Sequence, residues 1–178
     1  MQKDIEELGE SINNAFDQRN VQMLAKCIAD GALIDSSVQD APDERMTLYS
    51  YLGNAWSELD TLRHYGKTEI WSYSREEHIN AIKYYRKCVA VASPSLEYSV
   101  NIGIQAFTNL GNMFSSSGRV VFAIEAWKKA LQIIPDFGMA GGNLAHGLLH
   151  YARSMYDDGH KALVLRHCHK ILKYHIAL

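Results

Sequence analysis

Residues 104–137 carry the pattern that most limits how this chain can fold. Apolar side chains recur there at helical spacing and are then interrupted by Ser-Ser-Ser-Gly at 115–118. A second apolar stripe follows, and Pro135 ends it because proline cannot continue a helix. The two stripes are Phe107, Leu110, Met113 and Phe114, then Val121, Ile124, Trp127, Ala130, Leu131 and Ile134. The pattern predicts a helical hairpin whose apolar faces need neighbouring hairpins to cover them.

The spacing of large and small residues in this hairpin resembles the tetratricopeptide repeat (TPR), a unit of about 34 residues. The matching positions are Phe107, Leu110, Gly111, Phe114, Ala123, Trp127 and Pro135. Gly111 and Ala123 are small where the two helices of such a unit cross closely. The resemblance implies an all-α fold, a right-handed solenoid of about four helical hairpins with the first and last atypical.

Weaker copies of the pattern on both sides predict the other hairpins. We expect a degenerate hairpin at 1–34, a linker at 35–45, a TPR-like hairpin at 46–95, the TPR at 104–137 and a long hairpin at 138–178. In the last of these, the first helix is expected to continue through Tyr156, with the turn at Asp157-Asp158-Gly159.

The second hairpin carries an insertion. Gly53 and Ala81 are 28 residues apart, whereas the equivalent Gly111 and Ala123 are 12 apart, so 16 residues are added around 59–75. We expect a lengthened first helix and then a loop near Gly66, and Pro94 lies one position late for the consensus stop.

Composition and the absence of known motifs argue against several classes of function. The chain has 18 Lys and Arg against 20 Asp and Glu, a balance that argues against a nucleic-acid binder. Its three cysteines are far apart, which is typical of a reduced intracellular protein. With no signal sequence and no long apolar run, a cytoplasmic protein that does not cross a membrane is expected. Since no nucleotide loop or nucleophile motif is present, we predict neither an enzyme nor a cofactor.

Six of the eight histidines follow residue 145. His146 and His150 share a helix face, and one of His167 and His169 could join them in a three-histidine metal site. Groove or surface histidines are the preferred interpretation, so no metal is predicted.

An enzymatic alternative rests on a second resemblance. The segment FGMAGGNLAHGLLHYARSMYDDGH is similar to sequence in front of the nuclease domain of bacterial TPR–HEPN proteins. Arg153 and His160 fit the R-x4–6-H spacing of HEPN-type ribonucleases. The alternative function is therefore a regulatory or catalytic part of a HEPN-type ribonuclease or defence system, with these two residues as its catalytic pair.

In TPR proteins, side chains of the first helix of each hairpin line a concave groove that holds a partner peptide. The resemblance assigns this role to Asn54, Thr108, Asn109, Asn112, Ser115, Ser116, Asn143, His146 and His150. The lysines that clamp a carboxylate in some TPR domains are replaced here by Ser50, Thr108 and Met139, so a neutral peptide or helix of a partner protein is expected.

The insertion offers a second candidate surface. Tyr65, Trp71 and Tyr73 are of the residue types enriched at interfaces. Stacking of nucleic-acid bases on these rings is a further alternative, and packing under the loop is another.

Overall fold

The computed structural model of the chain describes residues 2–35, 37, 38, 41–67, 71–91 and 97–176. These residues contain eight α-helices, one short 3₁₀ helix and no strand, which confirms the expected all-α class. The helices are α1 (Gln2–Asp17), α2 (Val21–Asp35), α3 (Pro42–His64), the 3₁₀ helix (Ser72–Ser74), α4 (Glu76–Val91), α5 (Glu97–Ser116), α6 (Val120–Ile133), α7 (Gly138–Arg153) and α8 (Asp158–Ile176). The chain divides into two compact units, Met1–Ala106 and Phe107–Leu178, and the boundary falls within α5.

In the first unit, successive helices pack against one another: α1 on α2, α2 on α3 and α3 on α4, with α1 also touching α3. One core joins the first three helices through Ile5, Leu8, Ile12, Ala15, Leu24, Cys27, Leu48, Leu52, Ala55 and Leu59. Burying a leucine of this kind stabilises a fold by about 1.5–3 kcal/mol. The amphipathic pattern of the sequence is therefore satisfied by helices that lie next to each other in the chain.

Helix α3 is the longest, with 23 residues, and its ends follow local chemistry. Pro42 lies in its first turn, where a missing N–H costs nothing, and Asp43 and Glu44 follow at the positive end of the helix dipole. Helix α2 ends at Asp35 and α3 begins at Pro42, so the segment between them is shorter than the linker expected at 35–45. After His64, Gly66 adopts a positive φ of 72°. Residues 36, 39 and 40, residues 68–70 of the insertion, and Pro94 lie outside the described residues.

The second unit contains the end of α5 and helices α6, α7 and α8. Gly118 closes α5 with a φ of 75°. Its N–H donates to Ser115 O at 3.0 Å, and Arg119 N–H donates to Phe114 O at 2.9 Å. This pair of hydrogen bonds is the Schellman motif, which requires a left-handed residue after the helix. The Ser-Ser-Ser-Gly cluster therefore makes a tight turn between α5 and α6.

Trp127 lies at the centre of the second unit and is 2% exposed. A Cβ atom on Gly111 of α5 would lie 2.6 Å from Trp127 Cδ1, and one on Gly147 of α7 would lie 2.6 Å from Cζ3. Both glycines therefore let a neighbouring helix approach the indole ring more closely than any other residue type allows.

Helix α7 ends at Arg153, so the expectation that it continues through Tyr156 was wrong. Asp157 explains the difference, because its Oδ1 accepts a hydrogen bond from His160 N–H at 2.6 Å. A carboxylate placed in this way caps the start of the next helix. The Asp-Asp-Gly segment therefore begins α8, and Met155 and Tyr156 lie in the connection.

Candidate functional site

Two predicted binding segments come together in the second unit. Asn109, Asn112 and Ser116 are spaced by three and four residues along α5, and Asn143, His146 and His150 are spaced in the same way along α7. Such spacing places each set on one side of its helix. Asn143 Nδ2 donates to Asn112 Oδ1 at 2.9 Å, which joins the two rows. We call these six residues the α5–α7 polar face.

The polar face is accessible at its centre and along α7. Asn112, Ser116, His146 and His150 are exposed, while Asn109 and Asn143 are half-buried. Ser115, which was also predicted to bind, is half-buried one position away from this row. None of the six side chains of the face carries a permanent charge, so it presents amide and imidazole groups that both donate and accept hydrogen bonds.

His146 and His150 interact with each other on this face. Their Nε2 atoms lie 3.1 Å apart and their rings meet edge-on, with centroids 4.4 Å apart. One ring must donate and the other accept, so this contact requires at least one of them to be neutral.

The possible three-histidine metal site does not form. Cys168 faces α7, where its Sγ donates to Ala145 O at 3.2 Å. Its neighbours His167 and His169 consequently point away to either side and are exposed. Among the residues that the structure describes, the one group of three potential ligands within 4.8 Å of one another is Asp60, His64 and Glu77.

The binding role predicted for Thr108 was wrong. Its side chain is 0% exposed. Its carbonyl oxygen accepts a hydrogen bond from Trp127 Nε1 at 3.2 Å, on the side of α5 that faces α6. One step along a helix turns a side chain by about 100°, so Thr108 and Asn109 point in clearly different directions.

Asn54 and Asn112 follow the glycines of their hairpins, and both accept a hydrogen bond from an aromatic side chain of the next helix. Tyr85 Oη donates to Asn54 Oδ1 at 2.8 Å, and Trp127 Nε1 donates to Asn112 Oδ1 at 3.2 Å. Asn54 is half-buried, whereas Asn112 is exposed. The oxygens of both asparagines are therefore engaged, that of Asn112 by Trp127 and Asn143, and the two residues differ in the exposure of their side chains.

Arg153 and His160 lie on opposite sides of the α7–α8 connection, and both are exposed. The backbone N–H and the Nδ1 atom of His160 both lie within hydrogen-bond distance of Asp157 Oδ1, at 2.6 and 2.9 Å. These hydrogen bonds, with a further one from the backbone of Gly159, lower the pKa of Asp157. His160 therefore takes part in the cap of α8.

Sequence reasoning missed a charged cluster at the ends of α3 and α4. Arg63 Nη1 donates to Glu77 Oε1 at 2.7 Å, and His64 Nε2 contacts Glu77 Oε2 at 3.3 Å. Arg75 Nη1 lies 3.5 Å from Asp60 Oδ1. Burial alone would raise the pKa of Glu77, but hydrogen bonds from Arg63, its own backbone N–H and His64 hold it below the ordinary value. The i, i+4 spacing of Asp60 and His64 was the available signal.

Glu58 and Cys88 are among the groups away from these sites that have shifted pKa values. Burial, with a smaller contribution from Asp17, raises the pKa of Glu58 to about 7. Burial also raises the pKa of the Cys88 thiol to about 12, so this cysteine is a poor nucleophile and belongs to the core.

The aromatic residues of the insertion are exposed. Tyr65 is 85% exposed, Trp71 74% and Tyr73 43%, and the rings of Trp71 and Tyr73 stack with centroids 6.0 Å apart. These side chains therefore do not pack under the loop.

Comparison with solved structures gives a structural likeness. A solved structure described as the crystal structure of MamA protein aligns with 99% of this chain and 92% of its own chain, at 15% identity and a TM-score of 0.44. No protein-family model and no curated protein matches the sequence. Within the described part of the chain, no helix is long and apolar enough to cross a membrane.

Proposed function

We propose that this chain is a protein-interaction module and that the α5–α7 polar face of its second unit binds an uncharged segment of a partner protein. The hydrogen bond between Asn112 and Asn143 carries the proposal, because it fixes two amide groups side by side on neighbouring helices. An amide that both donates and accepts can pair with the backbone of a bound segment.

The chemistry of the face favours a neutral partner. Each hydrogen bond to a bound backbone contributes about 0.5–1.5 kcal/mol, and a charged ligand group would meet no opposite charge among the six side chains of the face. His146 and His150 extend the row along α7, where both rings are exposed. The TPR-like pattern of the sequence supports the same role, since first helices of hairpins line the groove in that family.

The test begins with the tagged protein purified from its native host, with and without nuclease treatment, followed by mass spectrometry. We expect a stoichiometric protein partner that survives the nuclease. The affinity of this partner is then compared between the wild-type chain, Asn143→Ala and the double variant His146→Ala/His150→Ala. Loss of one or two hydrogen bonds should weaken binding by about 3- to 30-fold.

Gln132→Ala provides the matched control, because Gln132 is an exposed amide on α6 outside the polar face. It should leave the affinity unchanged. Equal affinities for all the variants would place the partner elsewhere on the molecule. Partners that disappear on nuclease treatment would instead favour a nucleic-acid or ribonuclease role.

A further inference from the structure

The charged cluster of the first unit has the composition of a metal site. Asp60 and His64 lie one turn apart near the end of α3, and Glu77 lies in the first turn of α4. Each can offer one ligand atom, and these atoms all lie within 4.8 Å of one another. Two ligands that share a Zn²⁺ ion at bond lengths of about 2.1 Å are separated by roughly 3.4 Å in tetrahedral geometry and by at most about 4.2 Å. The 3.3 Å between His64 Nε2 and Glu77 Oε2 already meets this requirement.

His78 lies next to this cluster, on the side of Asp60. Its side chain is 0% exposed, and neither ring nitrogen has a hydrogen-bond partner. Its Nδ1 atom faces Asp60 Oδ2 at 3.9 Å, which is too long for a hydrogen bond. His78 does not belong to the group of residues whose ligand atoms all lie within 4.8 Å of one another, so it borders the cluster at Asp60 and is not counted as a ligand.

The two arginines leave the required carboxylate oxygens available. Arg63 contacts Oε1 of Glu77 and Arg75 contacts Oδ1 of Asp60. The other oxygens, Glu77 Oε2 and Asp60 Oδ2, each face a histidine. The guanidinium groups therefore orient the carboxylates in the way that outer-shell hydrogen bonds orient metal ligands. They also neutralise the carboxylate charge, so we expect a weaker site than one without arginines.

We propose that Asp60, His64 and Glu77 bind one divalent transition-metal ion, with one imidazole and two carboxylate ligands. This ligand set suits Zn²⁺ and its neighbours rather than Ca²⁺ or Mg²⁺, which take oxygen ligands. The site joins the end of α3 to the start of α4. It does not depend on the proposed partner binding, which uses other residues in the second unit.

The experiment uses the full chain, stripped of metal with EDTA and titrated with Zn²⁺ by calorimetry and with Co²⁺ by visible absorption. We expect one equivalent of Zn²⁺, the absorption bands of four-coordinate Co²⁺, and a melting temperature that rises when Zn²⁺ is added. Asp60→Asn and Glu77→Gln keep the side-chain shapes but remove ligand charge. Each should weaken Zn²⁺ binding by at least about tenfold, since loss of even outer-shell partners has effects of this size.

The matched control is His146→Ala/His150→Ala, which removes the other close pair of histidines and should retain the high-affinity equivalent. Zinc binding that is lost in this control and kept in Asp60→Asn would overturn the proposal. A Co²⁺ complex of the wild-type chain with only the weak bands of six-coordinate cobalt would overturn it as well, and that result does not depend on any variant folding.

Discussion

The α3–α4 hairpin of the first unit and the α5–α6 segment of the second share one internal contact but carry different surfaces. In both, a glycine of the first helix lies against an aromatic ring of the second, as Gly53 does with Tyr85 and Gly111 with Trp127. The residue after each glycine is an asparagine that accepts a hydrogen bond from that ring. The same packing solution therefore occurs twice in a chain with few other similarities between its repeats.

The surfaces differ because the first helices differ in length and neighbours. Helix α3 continues to His64, and Asp60 and Arg63 near its end pair with Arg75 and Glu77 in a charged cluster. Helix α5 ends at Ser116, and its exposed Asn112 meets Asn143 of α7. The internal contact fixes how two helices cross, while helix length and the next helix decide what chemistry the hairpin offers.

The largest loss of stability is expected when the contact between Gly111 and Trp127 in the second unit is removed. Trp127→Ala should lower the free energy of unfolding by about 3–5 kcal/mol, since it empties the space between α5, α6 and α7. Gly111→Ala alone should lower it by about 1–3 kcal/mol, because the added methyl group overlaps the indole ring. Both values are measured by urea unfolding followed by circular dichroism.

The double variant Gly111→Ala/Trp127→Ala is the control for this contact. Without the ring, the added methyl should cost nothing and even gain the higher helix propensity of alanine. Additive losses in the double variant would show that the glycine is needed for a reason other than Trp127. The pair Gly53 and Tyr85 should behave in the same way in the first unit.

A smaller difference in stability is expected between loss of the hydrogen bond to Asn54 and loss of the Asn112 side chain. Tyr85→Phe removes a hydrogen bond between largely buried groups and should destabilise the chain by about 0.5–1.5 kcal/mol. Asn112→Ala should change stability by less than about 0.5 kcal/mol, because Trp127 Nε1 keeps the carbonyl of Thr108 as a partner. Asn101→Ala, at an exposed position of the same helix, corrects for helix propensity.

Thermal and urea unfolding measure the stability of Tyr85→Phe, Asn112→Ala and the control Asn101→Ala, and partner affinity is measured in parallel. A loss after Asn112→Ala as large as that after Tyr85→Phe would show that Asn112 is structural. In that case Asn112 could not be counted as a residue of the polar face.

The sequence predicted the parts of this molecule that depend on local spacing. Gly111, Ala123 and Trp127 are close in the chain, so their contact follows from helix periodicity. Thr108 was assigned to the groove although it is buried. One residue along a helix turns a side chain by about 100°, and the crossing angle of the helices decides which side chain faces inward. The start of α8 was missed because Asp-Asp-Gly fits both a turn and a helix cap.

The charged cluster could not be predicted from spacing, because it depends on the register of α3 against α4. Asp60 and His64 lie within the insertion and Glu77 just after it, and the length of the insertion does not reveal which turns will meet. The packing of Tyr85 against Gly53 contributes to that register. A periodic pattern therefore predicts where helices lie in the sequence, but it does not predict which polar residues at their ends come into contact.

The smallest changes in stability are expected at two helix ends, at Arg19 after α1 and at Gly118 after α5. Both residues have positive φ, 51° for Arg19 and 75° for Gly118, and both follow the Schellman pattern of hydrogen bonds. A left-handed conformation costs a residue with a Cβ about 1–2 kcal/mol, whereas glycine adopts it freely.

Arg19→Gly removes that cost but gives the unfolded chain more freedom, worth about 0.4–1 kcal/mol, so we expect a net gain in stability of roughly 0.5 kcal/mol. Gly118→Ala should lose about 1 kcal/mol by the reverse argument, since nothing lies within 4 Å of its added Cβ and only the backbone changes. Urea unfolding of both variants, with Arg19→Ala as the control for loss of the charged side chain, measures the difference. A gain in Arg19→Ala equal to that in Arg19→Gly would assign the effect to the side chain rather than to the left-handed backbone.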